Sequence, residues 1–281
     1  MTGPSIKAHL LGCALQQLRI KAGKTQREVA AHLECSSGKV THIEQARYII
    51  KKTDLESLLK FYGAEDQYEL LESYRQDANK PGWWDTFHIP NWFEEYVGLE
   101  ADANEILVFE LELIPGLLQT EEYAVLTCFE ETDAKKISKT VELRMKRQEK
   151  LKDENKTLKA IISESSIKRL MKTKVAEKQL IKILDKSKLP NIKVSILPFN
   201  AGLHKSMSGS FAVLKFPEET IRSMVYLGQL LEGHITDTPK IMSYFAETHQ
   251  ALYNQSLSDE ESRAFLAQQI STVRGEHSGV V

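Results

Sequence analysis

One twenty-residue segment, TQREVAAHLECSSGKVTHIE at 25–44, restricts the possible folds of this chain more than any other. Thr25-Gln26-Arg27-Glu28 has the form of a capping box. The Thr25 hydroxyl can accept from the Glu28 amide, and the Glu28 carboxylate can reach back. This predicts a short helix that opens at Thr25 and ends near Leu33. Glu34-Cys35-Ser36 makes a turn, and Ser36 is placed to cap a following helix that runs through Gln45. Val29, Ala30 and Leu33 face inward from the first helix, and Val40 and Ile43 from the second. Ala30 falls where the helices must approach closely and the side chain must be small. Ser37, Gly38, Lys39, Thr41 and His42 are left on the outer side.

The flanking sequence reads as helix as well. Leu10, Leu11, Ala14, Leu15 and Leu18 recur at helical spacing, and Gly23 supplies a C-terminal stop. A fourth helix starts near Thr53 with Leu55, Leu58, Leu59 and Tyr62 inward and Gly63 at its end. A fifth covers Gln67–Asp77. Asn79-Lys80-Pro81-Gly82 is the strongest breaker in the chain and marks a domain boundary. The sequence therefore predicts a mainly α domain of five helices over residues 1–78, followed by a mixed α+β domain over 79–281.

In the second part, Trp83, Trp84, Phe87, Trp92, Phe93 and Tyr96 crowd together, as residues of a core or a domain interface do. Residues 104–114 alternate apolar and charged side chains like a half-buried strand. Pro115-Gly116 turns the chain into a helix around Glu121–Phe129. Residues 135–152 form a long charged helix, read as a solvated face because Glu142 and Glu149 interrupt its basic run. Further strands are expected at 158–163, 192–197, 210–216 and 223–227, and helices near 175–187, 237–253 and 259–272.

Charge separates the two parts. Residues 1–60 carry ten Lys/Arg against five Asp/Glu, a net +5, and the remainder carries −7. Positive charge gathers where a phosphate-binding surface would need it. No apolar run approaches the roughly 20 residues that span a bilayer, and the opening MTGPSIKAHLLGCALQQLRIK lacks a secretory layout. A cytoplasmic protein without membrane partner is expected. The three cysteines, Cys13, Cys35 and Cys128, are widely spaced and suggest neither a disulfide framework nor a zinc site. Ser36-x-x-Lys39 and Ser165-x-x-Lys168 stand without the companion motifs of a Ser-Lys nucleophile, and the nucleophile-elbow, phosphate-loop and paired-histidine zinc patterns are missing. No catalytic residue, metal or cofactor is expected. The loop Gly202–Gly209 is an ordinary surface loop or a loop beside a site.

With Thr25, Gln26, Val29, Ala30, Ser36, Val40, Ile43 and Glu44 in place, the segment resembles the Xre/Cro-type helix-turn-helix. Two positions depart from the pattern. Gly38 stands where Ser or Gln is common, and Ala46 stands where Gly is usual, which suggests a turn of different construction after the third helix. Downstream, Pro81-Gly82-Trp83-Trp84, Tyr96–Glu100, Ile114-Pro115-Gly116-Leu117-Leu118-Gln119-Thr120-Glu121, Arg144-x-x-Arg147-Gln148, Asn191–Phe199 and Val225-Tyr226-Leu227 occur in order. They are similar to the uncharacterised C-terminal domain that follows a helix-turn-helix in antitoxin-like regulators abundant in actinobacteria.

The resemblance implies double-stranded DNA as partner. It assigns Gln26 and Ser36 to anchoring at helix N-termini, and Ser37, Lys39, Thr41 and His42 to base or near-base contact. Arg47, Lys51 and Lys52 become phosphate contacts, a role Lys39 could equally take. Glu44 is expected to fix a helix terminus through Arg19. Two functions remain open. One is a homodimeric transcriptional regulator reading a palindromic operator through the helix at 36–45. The other is an antitoxin-like protein whose second domain holds a small protein partner or a small-molecule effector, with DNA binding for autoregulation.

Overall fold

The computed structural model describes residues 6–278, apart from 79, 81, 88, 130, 217–222 and 229–232. The chain divides into two compact units, residues 1–99 with 216–222, and residues 100–215 with 223–281. The breaker at 79–82 lies within the first of these, and its Asn79 and Pro81 fall outside the described residues.

Five helices build residues 6–77: α1 (Ile6–Lys21), α2 (Gln26–His32), α3 (Ser37–Glu44), α4 (Lys52–Tyr62) and α5 (Tyr68–Asp77). The apolar positions recognised by spacing are the buried ones, with Leu10, Leu11, Ala14, Leu15, Val29, Val40, Leu55 and Leu59 at most 2% exposed. Leu33, the C-cap of α2, and Tyr62 are the exceptions and stay half-exposed. Gly23 and Gly63 close α1 and α4 in the left-handed region, at φ +68° each, where a Cβ would be strained. α6 (Asn91–Asp102) follows. Ahead of it Trp83 meets Trp84 edge-on at 5.6 Å and Phe87 at 6.3 Å, and on α6 Phe93 stacks on Tyr96 at 5.9 Å.

The turn after α3 corrects an expectation. Ala46 adopts φ +57°, the conformation glycine takes at this position. The turn therefore has the glycine geometry in spite of the Cβ. The Ala46 and Arg47 amides donate to the Ile43 and His42 carbonyls, so the end of α3 is closed by hydrogen bonds. The Ala46 methyl is buried with Ala8 and Ala78, which offsets the strain of about 1 kcal/mol such a conformation costs.

The second unit is built on a six-stranded sheet: β1 (Glu105–Glu110), β2 (Thr157–Ser163), β3 (Ile192–Leu197), β4 (Phe211–Lys215), β5 (Met224–Gly228) and β6 (Gly233–Thr236). Its order is β3-β2-β1-β4-β5-β6. β1, β2 and β3 are parallel, and β4 to β6 are antiparallel neighbours starting from β1. Parallel pairing requires crossovers. α7 (Glu121–Leu126) and α8 (Ala134–Glu149) lie between β1 and β2, and α9 (Glu164–Leu170) and α10 (Ala176–Lys186) between β2 and β3. α11 (Pro239–Gln255) and α12 (Asp259–Ser278) end the unit.

On one face Leu107, Phe109, Ile161, Leu197, Phe211, Val213 and Val225 pack with Leu252, Met242 and Phe245 of α11. The alternate residues Ile106, Val108, Leu158 and Ala160 are buried too, so the central strands are covered on both faces, as parallel strands are. β1 is shorter than the alternation over 104–114 implied, because Leu111 leaves the ladder to donate its amide to the Ser210 hydroxyl at 3.1 Å. The charged face expected of α8 also needs correction. Arg147 is buried and ion-paired to Glu100 at 2.6 Å, and Gln148 donates to the Gly116 and Gln119 carbonyls.

Candidate nucleic-acid interface

α2 begins with the capping box read from the sequence. The Thr25 amide donates to Glu28 Oε2 at 2.8 Å, and the Glu28 amide donates to Thr25 Oγ1 at 3.2 Å. The bonds that the Thr25 amide and hydroxyl donate to Glu28 Oε2 hold this carboxyl below its ordinary range. Ser36 caps α3 by accepting from the Lys39 amide at 3.2 Å. Between them, Glu34 makes the turn at φ +49°. The inner face of α3 buries Val40, Ile43 and Glu44.

A polar node fixes the far end of α3. Glu44 is buried and receives Arg19 Nε at 2.6 Å, Arg19 Nη2 at 3.1 Å and Gln26 Nε2 at 2.8 Å. Arg19 Nη1 donates to the Lys24 carbonyl at 2.9 Å, so one guanidinium ties α1, the α1–α2 turn and α3 together. The Thr41 hydroxyl lies 3.2 Å from Gln26 Oε1 and 3.1 Å from the Ser37 carbonyl, and can donate to either. The hydrogen bonds that Arg19 donates to Glu44 raise the Arg19 pKa, and burial with the Glu44 charge pushes the Tyr62 hydroxyl upward as well. Gly12 lets α1 reach this point. A Cβ on it would stand 2.7 Å from the Glu44 carbonyl oxygen and 2.9 Å from that of Ile43.

The opposite face of α3 is open. Ser37, Gly38, His42 and Gln45 are exposed and Thr41 is half-exposed, one stripe at i, i+1, i+4, i+5 and i+8. Among the described residues, the side chains of Ser37 and His42 have no protein partner. A Cβ at Gly38 would meet only Ser36 Oγ, at 3.8 Å, so this glycine is a notch in the surface that packing does not demand. Beyond the helix, Arg47, Tyr48, Lys51 and Lys52 are exposed. Lys51 is the N-cap of α4 and makes no side-chain cap, which leaves first-turn amides directed outward beside two lysines.

Gln26 braces Glu44 and Thr41, and its amide is only half-exposed. Lys39 leans away from the open stripe, 3.4 Å from Asp54 and 5.5 Å from the centre of the Tyr48 ring. Ser37 and His42 stand on the stripe, Thr41 at its inner margin, and Ser36 at its start. Arg47, Lys51 and Lys52 lie along the chain that leaves it. Gln45 and Tyr48 belong to the same exposed surface and were not singled out from sequence. Their signal was available, since Gln45 is eight residues from Ser37 on a helix whose other side is apolar.

The N-terminal unit thus carries a two-helix element, α2 and α3, short, doubly capped and braced from behind, with one polar face left bare. That architecture defines a helix-turn-helix protein. Residues 10–72 match the helix-turn-helix domain family, the class of module that binds DNA. Residues 93–268 match the family described as a domain of unknown function, DUF5753. The match spans more than half of the chain, and the protein belongs to that family. No curated protein and no solved structure matches the chain.

Among the described residues the three cysteines form no disulfide. Among the described residues no helix is long and apolar enough to cross a membrane, and no group of three or more His, Cys, Asp or Glu side chains could hold a metal ion.

Proposed function

We propose that this protein is a sequence-specific, DNA-binding transcriptional regulator of the Xre type that acts without catalysis. The observation that carries the reading is the bare polar stripe of α3, Ser37, Gly38, Thr41, His42 and Gln45, on a helix whose back is locked by Arg19 and Glu44. A major groove about 12 Å wide admits one helix, and the early residues of that helix meet base edges. Ser37 and His42 are the base readers, with Thr41 and Gln45 beside them. Arg47, Lys51 and Lys52 neutralise phosphates, which positions the helix and carries no sequence information. Lys39, drawn toward Asp54, is a phosphate contact rather than a base reader.

The protein acts as a homodimer on a palindromic operator. One small module buries too little surface for high specific affinity, and two half-sites a helical turn apart suit a two-fold protein. The C-terminal unit then supplies dimerisation and signal input. Selection of bound duplexes from a random pool by the full chain tests this reading. Enrichment of a two-fold motif is expected, with half-sites about 10 base pairs apart centre to centre. A pool that stays random after repeated rounds contradicts it.

The antitoxin-like alternative is favoured by one feature. The loop after β3 exposes Phe199, Leu203 and Met207 at 62%, 88% and 53%, more apolar surface than a loop without a partner needs. Co-purification of a small protein encoded beside this one, lost on Leu203→Asp, would support that reading.

A further inference from the structure

The sheet of the second unit changes direction between β1 and β4. β1 runs parallel to β2 and antiparallel to β4. In open α/β sheets, small molecules settle outside the carboxyl ends of strands where the order switches. Here that place is occupied by Glu110, the last residue of β1, and Ser210, just ahead of β4. The Ser210 oxygen accepts from the Leu111 amide, and its hydroxyl is near enough to the Glu110 carboxyl to favour the charged form. Tyr123, Tyr226 and Arg144 are close enough to Glu110 to feel its charge.

Glu110 and Arg144 are enclosed by protein on most sides and yet keep partial contact with solvent. Both are deep groups that solvent still reaches. They form no ion pair with each other, although neither is otherwise neutralised. Burial pushes the Glu110 carboxyl up to about 7, against the opposing pull of Ser210 and Arg144.

Arg144 supplies the specific feature. Its Nη1 donates to Gln119 Oε1 and Thr127 Oγ1, each at 2.7 Å, and so its orientation is fixed. Its Nε and Nη2 have no partner among the described residues. Three other arginines of this protein spend that same edge on a carboxylate, Arg19 on Glu44, Arg75 on Glu72 and Arg147 on Glu100. The edge is a planar fork matched to two carboxylate oxygens. In Arg144 it is oriented, partly desolvated and unused.

We propose that the C-terminal unit binds a small aromatic or aliphatic carboxylate at the end of β1, its carboxylate on the Nε–Nη2 edge of Arg144 and a hydroxyl or amino group donating to Glu110. Tyr123 and Tyr226 flank the body of the molecule. The site gives the regulator its effector input and so extends the DNA-binding reading. Binding is tested without DNA, so that either claim can fail alone.

The probes are hydroxybenzoates, aminobenzoates and the standard L-amino acids, each beside its carboxamide, added to the full chain in thermal-shift and calorimetric titrations. At least one carboxylate is expected to bind, about tenfold or more tighter than its amide, which cannot present two anionic oxygens. Arg144→Lys keeps donors for Gln119 and Thr127 and loses the fork, and it should weaken that carboxylate by a similar factor. Glu110→Gln keeps size and should weaken only ligands that carry the hydroxyl or amino group, with benzoate as the comparison. If Arg144→Lys fails to fold, Glu110→Gln decides. No binding by any probe, equal binding of acid and amide, or unchanged binding in a folded variant overturns the proposal.

Discussion

The Arg19 guanidinium and the Glu44 carboxylate, 25 residues apart in the chain, meet in two hydrogen bonds of 2.6 and 3.1 Å with both side chains largely buried. The pair joins the first helix to the end of the third. Gln26 adds a third bond to the same carboxylate and passes the restraint to Thr41 on the open face. The groove-facing stripe therefore inherits its orientation from a polar node behind it.

Breaking that node should be costly. Glu44→Gln removes the charge and leaves Arg19 buried with a weaker partner, for an expected loss of about 3 kcal/mol. Urea unfolding checks the value. The double variant Arg19→Met/Glu44→Leu should lose less than the two single changes added together, because no orphan charge remains. A single-variant loss under about 1 kcal/mol would show the node to be ornamental for stability.

Gly12 sets how closely α1 approaches α3. Its missing Cβ would lie 2.7 Å from a backbone oxygen, which cannot move aside as a flexible side chain can. Gly12→Ala should destabilise by about 2 kcal/mol, although alanine is the better helix former. A melting temperature at or above that of the parent protein would contradict the close approach.

Two substitutions separate stability from recognition. Glu34 holds φ +49° on an exposed turn, and Glu34→Gly should raise stability by about 1 kcal/mol and leave DNA preference unchanged. Gly38→Ala should also raise stability, by about 0.5–1 kcal/mol, since the added methyl meets only Ser36 Oγ, at an ordinary contact distance of 3.8 Å. Unlike the first, it fills a notch on the reading face and should lower affinity for the preferred duplex. Thermal unfolding and duplex titration of both variants check the pair, and equal DNA binding by the two would place Gly38 outside the interface.

His249 gives the second unit an acid sensitivity. It is buried with its Nε2 3.2 Å from the Lys159 carbonyl. Burial lowers its pKa from 6.5 to about 4, with Lys159 and Lys215 opposing its protonation and Glu105 favouring it. The folded state keeps the ring neutral while the unfolded chain takes up a proton. Stability tied to His249 is thus complete above pH 6.5 and is lost as pH falls toward 4, on the order of 3 kcal/mol in all. His249→Gln should flatten that part of the stability–pH curve, and an unchanged curve would assign the acid sensitivity elsewhere.

The five helices and the two caps were legible because each signal is local. Thr25 and Glu28 are three residues apart, and the leucines repeat within a turn or two. Gly12 and the Gln26 bridge were not legible, because both depend on which helix lies behind, a matter of tertiary distance. Ala46 misled for the opposite reason. Its buried methyl supports a left-handed turn that propensity alone assigns to glycine. In the second unit the strands were readable from continuous apolar runs such as LKAIIS, whereas α6 and α9 were missed and β6 is only four residues long. Arg144 and Arg147 looked like part of a solvated charge run. Their inward direction follows from Glu100 and Gln119, which lie 47 and 25 residues away.

Arg47 divides affinity from specificity. It is exposed beyond the end of α3, with no side-chain partner among the described residues. Arg47→Ala should weaken binding to all duplexes alike and reduce the slope of log affinity against log salt by about one. A loss confined to one sequence would make it a base reader.

The account is tested most directly by the ratio of affinities for the selected duplex and a scrambled one, measured by fluorescence anisotropy at fixed salt for the full chain and for Ser37→Ala/His42→Ala. The parent protein is expected to prefer the selected duplex by 10³-fold or more, on the order of specific regulators. The double variant should lose most of that ratio and keep its affinity for the scrambled duplex. An unchanged ratio in the folded variant would mean that the exposed face of α3 does not read DNA.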